Sequence, residues 1–403
     1  MKCIRKICNC VDDPMKNKND LLCGNEALAQ GAYEAGIRLA TSYPGTPASE
    51  IMEYLIKKKS TNFYAEWSSN EKVALEICIG ASTLNQRSFC SMKANGFNLC
   101  IDSLMSLTKK GICGGMVIAV VDDPDVRYSD VFQDSKKLMK FIGFPILEPK
   151  SVEECYNFAK KAFRLSEDSK TPVFISITNK IGHLYSVVNV GDRRALSRKP
   201  VFCNIPYKFN PYSKEKEEVI PYFCPGCPHE SFYKNVSFPK EYVINGDIGC
   251  YEMAGFGNNG KDDKPLRRII QSLFVMGSGV NVSQGQIICG KKSIALCGDG
   301  TFWHSGINGL INAAYQKHNV IFIIMDNLCV AMTGQQQAPD LSIEKICQDL
   351  GCNVEIINPY VKGEAQKAID RAVANQNKIN VIINRAPCIL KVKKMKKNSV
   401  NIK

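Results

Sequence analysis

The stretch Ser293-Ile294-Ala295-Leu296-Cys297-Gly298-Asp299-Gly300-Thr301 carries an apolar run straight into a Gly-Asp-Gly turn. A second apolar run, Val320–Met325, leads straight into Asp326-Asn327. Between them Ile307–Gln316 has helical spacing, so the whole reads as strand, turn, helix, strand. That order predicts parallel strands with Asp299 and Asn327 at their carboxyl ends, where open α/β sheets bind ligands. Asp299 offers a hard anionic oxygen and Asn327 a neutral one; with a nearby backbone carbonyl they suit Mg²⁺ holding a diphosphate. Gly298 and Gly300 let the backbone approach phosphate closely, and Thr301 leads into a helix whose N-terminus favours anions. A lone Gly-Asp-Gly is a common turn. The asparagine 28 positions later gives the pattern its specificity.

The same alternation extends outward. Ile343–Leu350 reads as a helix and Val381–Asn384 as a buried strand, which makes 218–390 one domain. In the first half, Asn25–Ala35 reads as a helix, Ile37–Tyr43 as a strand stopped by Pro44-Gly45, and Met116–Val121 as a strand stopped by Asp122-Asp123-Pro124. Ser151–Phe163 reads as an amphipathic helix with a capping box from Ser151 and Glu154, and Val173–Thr178 follows as a strand. Residues 20–190 thus form a second domain, and the fold class is α/β with two doubly wound domains. Residues 191–217, rich in Arg, Lys, Pro, Tyr and Asn without apolar period, read as a surface linker. Residues 1–19 read as a Cys-rich extension and 391–403 as a basic tail expected to be unstructured.

Composition narrows the classes. Of 403 residues 45% are hydrophobic and 23% charged, ordinary for a chain that buries a real core. No apolar run approaches the ~20 residues of a membrane helix, and the N-terminus lacks a signal peptide's apolar segment. A cytoplasmic chain is expected, not a secreted or membrane-spanning one. In such a chain the 19 cysteines predict reduced, small apolar side chains rather than a disulfide framework. The net charge of +13 comes partly from Lys391, Lys393, Lys394, Lys396 and Lys397, and no nucleic-acid-binding signature accompanies it. The four histidines share no metal-ligand spacing, which sets a zinc hydrolase aside. Gly277-x-Gly279 lacks the third glycine and acidic partner of a dinucleotide turn.

Several segments carry a resemblance: Tyr43–Glu50, Glu66–Ser82, Phe223–His229, Gly246–Tyr251, Gly298–Gly306 and Asp326–Gln335. Together they resemble, in shortened form, the large (alpha) subunit of the indolepyruvate:ferredoxin oxidoreductases, members of the thiamine diphosphate-dependent 2-oxoacid oxidoreductase superfamily. The resemblance implies that 20–190 binds the cofactor's pyrimidine and 218–390 its diphosphate. It implies Mg²⁺ held by Asp299, Asn327 and the carbonyl of Cys329, with Gly298, Gly300 and Thr301 at the diphosphate. Glu71 would hydrogen-bond the pyrimidine and make the cofactor's own amine a base. Met276 and Gly277 would lie against the thiamine, Thr46 would help bind substrate or pyrimidine, and His304 would face the reacting carbonyl.

The implied reaction converts an aryl 2-oxoacid and coenzyme A to an acyl-CoA, carbon dioxide and reduced ferredoxin. One-electron exit calls for an iron–sulfur cluster of the 4Fe–4S type, and Cys224-x-x-Cys227 has the ligand spacing. Cys250 would be a third ligand; Cys329, Cys347, Cys352 and Cys388 are candidates for the fourth. A CxxC pair alone also suits zinc or a plain structural role. In the family the cofactor lies between different subunits, which implies a homodimer, with a smaller beta subunit as a further partner. Two family features are missing: the middle region, and the C-terminal ferredoxin-like module, whose spacing Cys3, Cys8 and Cys10 lack. The loop Lys93-Ala94-Asn95-Gly96 lacks the histidine usual beside this lysine, which bears on the substrate. These departures leave two alternatives: a non-oxidative 2-oxoacid decarboxylase releasing an aldehyde, or an inactive partner subunit that only binds thiamine diphosphate.

Overall fold

The computed structural model describes residues 18–193, 196, 198–203, 222–255 and 269–400. Eight strands fall in the first half: β1 (Lys18–Cys23), β2 (Leu39–Ser42), β3 (Tyr64–Trp67), β4 (Ser88–Lys93), β5 (Met116–Asp122), β6 (Ile146–Leu147), β7 (Val173–Thr178) and β8 (Tyr185–Val190). Six fall in the second: β9 (Val243–Gly246), β10 (Ser272–Leu273), β11 (Ser293–Gly298), β12 (Ile321–Asp326), β13 (Asn353–Ile357) and β14 (Asn380–Arg385). They build two six-stranded sheets, ordered β3-β2-β4-β5-β7-β6 and β10-β9-β11-β12-β14-β13, whose pairings are parallel. The second order is the first with every number advanced by seven, so the halves share one topology. β5, β11 and β12 are buried along their whole length, as central parallel strands covered on both faces must be.

The halves meet through two helices, Glu71–Thr83 and Ser278–Ile288. Each lies between its own sheet and the other domain, so neither is amphipathic; in the first every residue but Lys72 is buried. Glycines set the approach. A Cβ on Gly80 would fall on the Val282 carbonyl, and one on Gly285 on the Ile77 carbonyl. Phe274 and Val282 of the second domain join the apolar cluster of Leu75, Ile79 and Leu104 in the first. Polar contacts flank the seam. Lys72 donates to the Met276 carbonyl (3.0 Å), Asn281 to Glu76 (2.8 Å), and Gln286 to Thr83 (3.0 Å). Partner numbers rise together along both helices, so they run the same way and their N-termini meet.

Several sequence expectations need revision. The N-terminal extension gives way to strand at Lys18: β1 pairs antiparallel with β8 as a separate ribbon. The expected unstructured tail is a helix, Ile389–Val400, tied down at its start by Cys388 N–H to the Asn327 carbonyl (3.0 Å) and Lys391 to the Leu328 carbonyl (2.7 Å). Half of the Ser151 capping box forms: Ser151 accepts from Glu154 N–H, while the Glu154 carboxylate turns to Lys150 N–H. One cysteine pair expected to be reduced, Cys113 and Cys203, is a disulfide joining the linker to the first domain. Cys3, Cys8, Cys10 and most of the linker lie outside the described residues. No helix among the described residues is long and apolar enough to cross a membrane.

Candidate active site

β11 and β12 are adjacent and parallel, in register from Ile294–Ile321 to Gly298–Met325, so the turns after them stand side by side. Asp299 opens the turn after β11 and is buried. Its Oδ1 accepts from Gly300 N–H (2.9 Å), while Oδ2 is buried with no partner among the described residues. Burial first, and the neighbouring Asp326 second, push this carboxyl up to about 7. An orphaned, buried carboxylate oxygen beside a second acid is an acceptor set that a cation relieves. The Cys329 N–H serves both partners of the expected metal site: it donates to Asn327 Oδ1 (3.2 Å) and lowers Asp299 by its backbone hydrogen bond. The three expected magnesium donors therefore share one loop junction.

His229, which the sequence reading did not single out as a site residue, fixes the asparagine. Burial pulls it down to about 4, so it is neutral, and its Nε2 lies 3.0 Å from Asn327 Nδ2. The amide nitrogen can only donate, so His229 accepts and Asn327 Oδ1 is left to accept from Cys329 N–H. The two residues are 98 apart in sequence. Thr301 Oγ1 donates to the Ile248 carbonyl (3.1 Å), and Tyr251, packed against Gly298, donates to the buried Asp247. Gly277 N–H donates to the other Asp247 oxygen (3.0 Å).

Gly277 holds φ at +82°, and a Cβ there would meet Ser305. Ser305 Oγ donates to the Met276 carbonyl (2.7 Å) and lies 3.0 Å from His304 Nδ1. Since the serine proton goes to Met276, His304 donates through Nδ1, and its Nε2 remains as an acceptor. His304 is exposed on a π turn, Phe302–Gly306, a geometry frequent at functional sites. Met276, Gly277, Asp299, Thr301 and His304 thus gather at one edge, and Lys72 reaches that edge from the other domain.

Glu71 is the first residue of its helix, capped by the Asn70 side chain on Val73 N–H (2.8 Å). It is 8% exposed, and burial raises its carboxyl above the ordinary range, with Lys93 holding part of the rise back. Gly96 makes the room: a Cβ there would fall on the Glu71 carboxylate. Lys93 in turn packs over Gly45, next to Thr46. Thr46 is exposed on the loop after β2, and its hydroxyl makes no hydrogen bond among the described residues.

Cys224 and Cys227 form a tight turn, Cys227 N–H to the Cys224 carbonyl (2.9 Å), through Gly226 at φ +78°. These two, Cys250 and Cys388 line one small, largely apolar pocket together with His229 and Asn327. Burial and neighbouring thiols push Cys227 up to about 11 and Cys250 to about 12. Cys347 and Cys352 instead pack into the apolar cluster around Phe322. Cys329 is buried and does not border the pocket, and it interacts with Cys388. As placed, no three His, Cys, Asp or Glu among the described residues close on a common ion. The pocket nonetheless gathers four thiol side chains in a largely apolar lining.

The family model for pyruvate flavodoxin/ferredoxin oxidoreductase, thiamine diphosphate-binding, matches residues 30–221. The C-terminal binding domain of thiamine pyrophosphate enzymes matches residues 247–384. The chain is 26% identical to indolepyruvate oxidoreductase subunit IorA of Methanothermobacter marburgensis over 544 aligned positions, covering 92% of this chain and 87% of that one. It is 27% identical to the subunit of the same name from Archaeoglobus fulgidus, covering 92% and 86%. Both alignments are longer than this chain, so these relatives carry internal segments without counterpart here. Among solved structures, thiamine diphosphate-dependent 4-hydroxybenzoylformate decarboxylase of Rhodococcus jostii superposes with TM-score 0.64 at 12% identity, covering 91% of this chain and 99% of that one. That likeness is one of fold.

Proposed function

We propose that this chain, which belongs to the thiamine diphosphate-dependent 2-oxoacid oxidoreductases, oxidatively decarboxylates an aryl 2-oxoacid of the indolepyruvate kind. In this reading the product is an acyl-CoA, and electrons leave through a 4Fe–4S cluster to ferredoxin. One observation carries it: the interdomain edge that gathers Met276, Gly277 and Asp299 shares Asn327 and its loop with a pocket of four cysteines.

Thiamine diphosphate, when bound, supplies the nucleophilic carbon and the electron sink, and a cluster supplies one-electron exit. The chain's own residues hold and orient. Asp299, Asn327 and the Cys329 carbonyl would hold Mg²⁺, with His229 keeping Asn327 turned the right way. Gly298, Gly300 and Thr301 would present backbone to the diphosphate. Glu71, whose burial favours the protonated acid, would share a proton with the pyrimidine ring nitrogen. Met276 and Gly277 would wall the thiamine, while Thr46 and His304 would face the substrate, His304 through its free Nε2. Cys224, Cys227, Cys250 and Cys388 would ligate the cluster; Cys388 is the fourth ligand that spacing left open.

The cysteine pocket favours oxidation over aldehyde release, which has no use for it. The presence of Glu71, Asp299 and Asn327 together favours an active subunit over an idle binder. The test is anaerobic purification followed by iron analysis and an assay with indolepyruvate, coenzyme A and ferredoxin. Brown protein with about four irons per chain, lost in Cys388→Ala, together with acyl-CoA formation, is expected. Colourless, iron-free protein that makes aldehyde without any electron acceptor would overturn the reading.

A further inference from the structure

A second cavity, of about 440 Å³, opens at the opposite end of the molecule's central helix pair. It is bordered by Arg38 and Arg87, which precede β2 and β4, and by Arg193, Arg198 and Lys199 of the linker. Cys289, at the end of the Ser278–Ile288 helix, lines it from the second domain. The 13-residue Glu71 helix spans about 20 Å, so this cavity is remote from the Asp299 edge.

Its charge is unbalanced. Among the described residues one carboxylate answers these five cations: Glu167, which takes both forks of Arg87 at 2.7 Å and Arg198 at 2.7 Å. Against the push of burial, those two arginines hold Glu167 down to about 2, so it is ionised. Among the described residues Arg38 bonds the Thr61 carbonyl alone, and Arg193 the Ile37 and Asn62 carbonyls. Carbonyls satisfy N–H groups without cancelling charge. Arg193 Nε is buried and unpartnered, and burial, aided by the Arg38 charge, pulls Arg193 below its usual range. Lys199 has no partner among the described residues. Arginines often cap helix carbonyls, and Arg87 does so at Ala35 (2.6 Å). Capping accounts for single bonds, not for five cations converging on one cavity with one carboxylate.

We propose that this cavity binds an oligophosphate, free or carried on a nucleotide. Guanidinium forks match phosphate oxygens in pairs, the volume lies in the range of small-molecule sites, and a single phosphate would leave most of the surplus charge unmatched. The occupant would pin the linker and both domains together at the end away from the chemistry.

The experiment uses holoenzyme saturated with thiamine diphosphate and Mg²⁺, so that the diphosphate edge is filled. Pyrophosphate, ADP, ATP and inorganic phosphate are titrated by calorimetry at 0.1 M salt. Pyrophosphate, ADP and ATP should bind at one site per chain, at least about tenfold tighter than phosphate, and more weakly as salt rises. Equal affinity for pyrophosphate and ATP would identify the free oligophosphate as the ligand; tighter ATP would identify the nucleotide. Arg38→Gln with Arg198→Gln should weaken binding at least tenfold. Lys199→Gln, on an exposed side chain that cannot upset folding, should weaken it about threefold. Absence of binding to the unaltered protein, or unchanged binding in both variants, would overturn the proposal.

Discussion

At the level of single residues, Glu71 sits under opposing demands. Its place at a helix N-terminus favours the anion, while its burial against Gly96 favours the neutral acid, and burial prevails. The folded-state pKa therefore lies above that of the unfolded chain. Glu71 is most compatible with folding below the ordinary carboxyl range, and that compatibility is lost as pH rises through its raised folded value. Glu71→Gln should accordingly raise the melting temperature at pH 8, with the gain shrinking toward pH 5, while lowering turnover about 100-fold or more. Melts at both pH values, run beside the assay, check it; a variant equally shifted at both would remove the ionisation argument. The sequence offered Glu71, Asp299 and Asn327 because each sits at a fixed place beside a strand or helix end. It did not single out His229 or choose Cys388, because their partners lie far along the chain and only folding brings them close.

Among the elements, the Glu71 and Ser278 helices were legible by their apolar content but not by their role. A helix buried all round shows no amphipathic face from which its neighbour can be read. What the sequence did contain was Gly80 and Gly285, whose meaning appears only once the two backbones touch. Gly285→Ala should force the helices apart, destabilise the protein by about 1–3 kcal/mol and weaken thiamine diphosphate binding, because the seam sets the spacing of Lys72 and Met276. Denaturant unfolding and cofactor titration test this; unchanged values in both would show that the crossing yields without strain. Strands β2, β5, β7, β11, β12 and β14 were legible to within a few residues because each is a short, largely apolar run, whereas the shorter or more polar β3, β4, β6, β9, β10 and β13 were not read. The β1–β8 ribbon was not, because its outward residues Tyr185 and Val187 are exposed and its two strands lie at opposite ends of a domain. The Ile389–Val400 helix escaped because its lysines read as solvated, while the hydrogen bonds that anchor it go to the Asn327–Leu328 loop.

Across the whole molecule, the repeated strand order means one architecture performs two tasks in one chain. The helix N-termini meet intramolecularly, so each chain holds a complete set of candidate residues. Mixing Glu71→Gln with Asp299→Ala protein should therefore restore no activity. Recovery on mixing would instead place the working halves on different chains. The domain pattern was legible because strand and helix signals alternate twice; the contact between the halves was not, because no local signal encodes it. The Cys113–Cys203 bond escaped for the same reason, being closed across 90 residues.

Asn327 has a final consequence. Its Oδ1 accepts from Cys329 N–H, its side chain lines the cysteine pocket, and its carbonyl receives the N–H of Cys388. Any substitution at Asn327 therefore disturbs two loops and a pocket at once, and no single change there can separate one from the others.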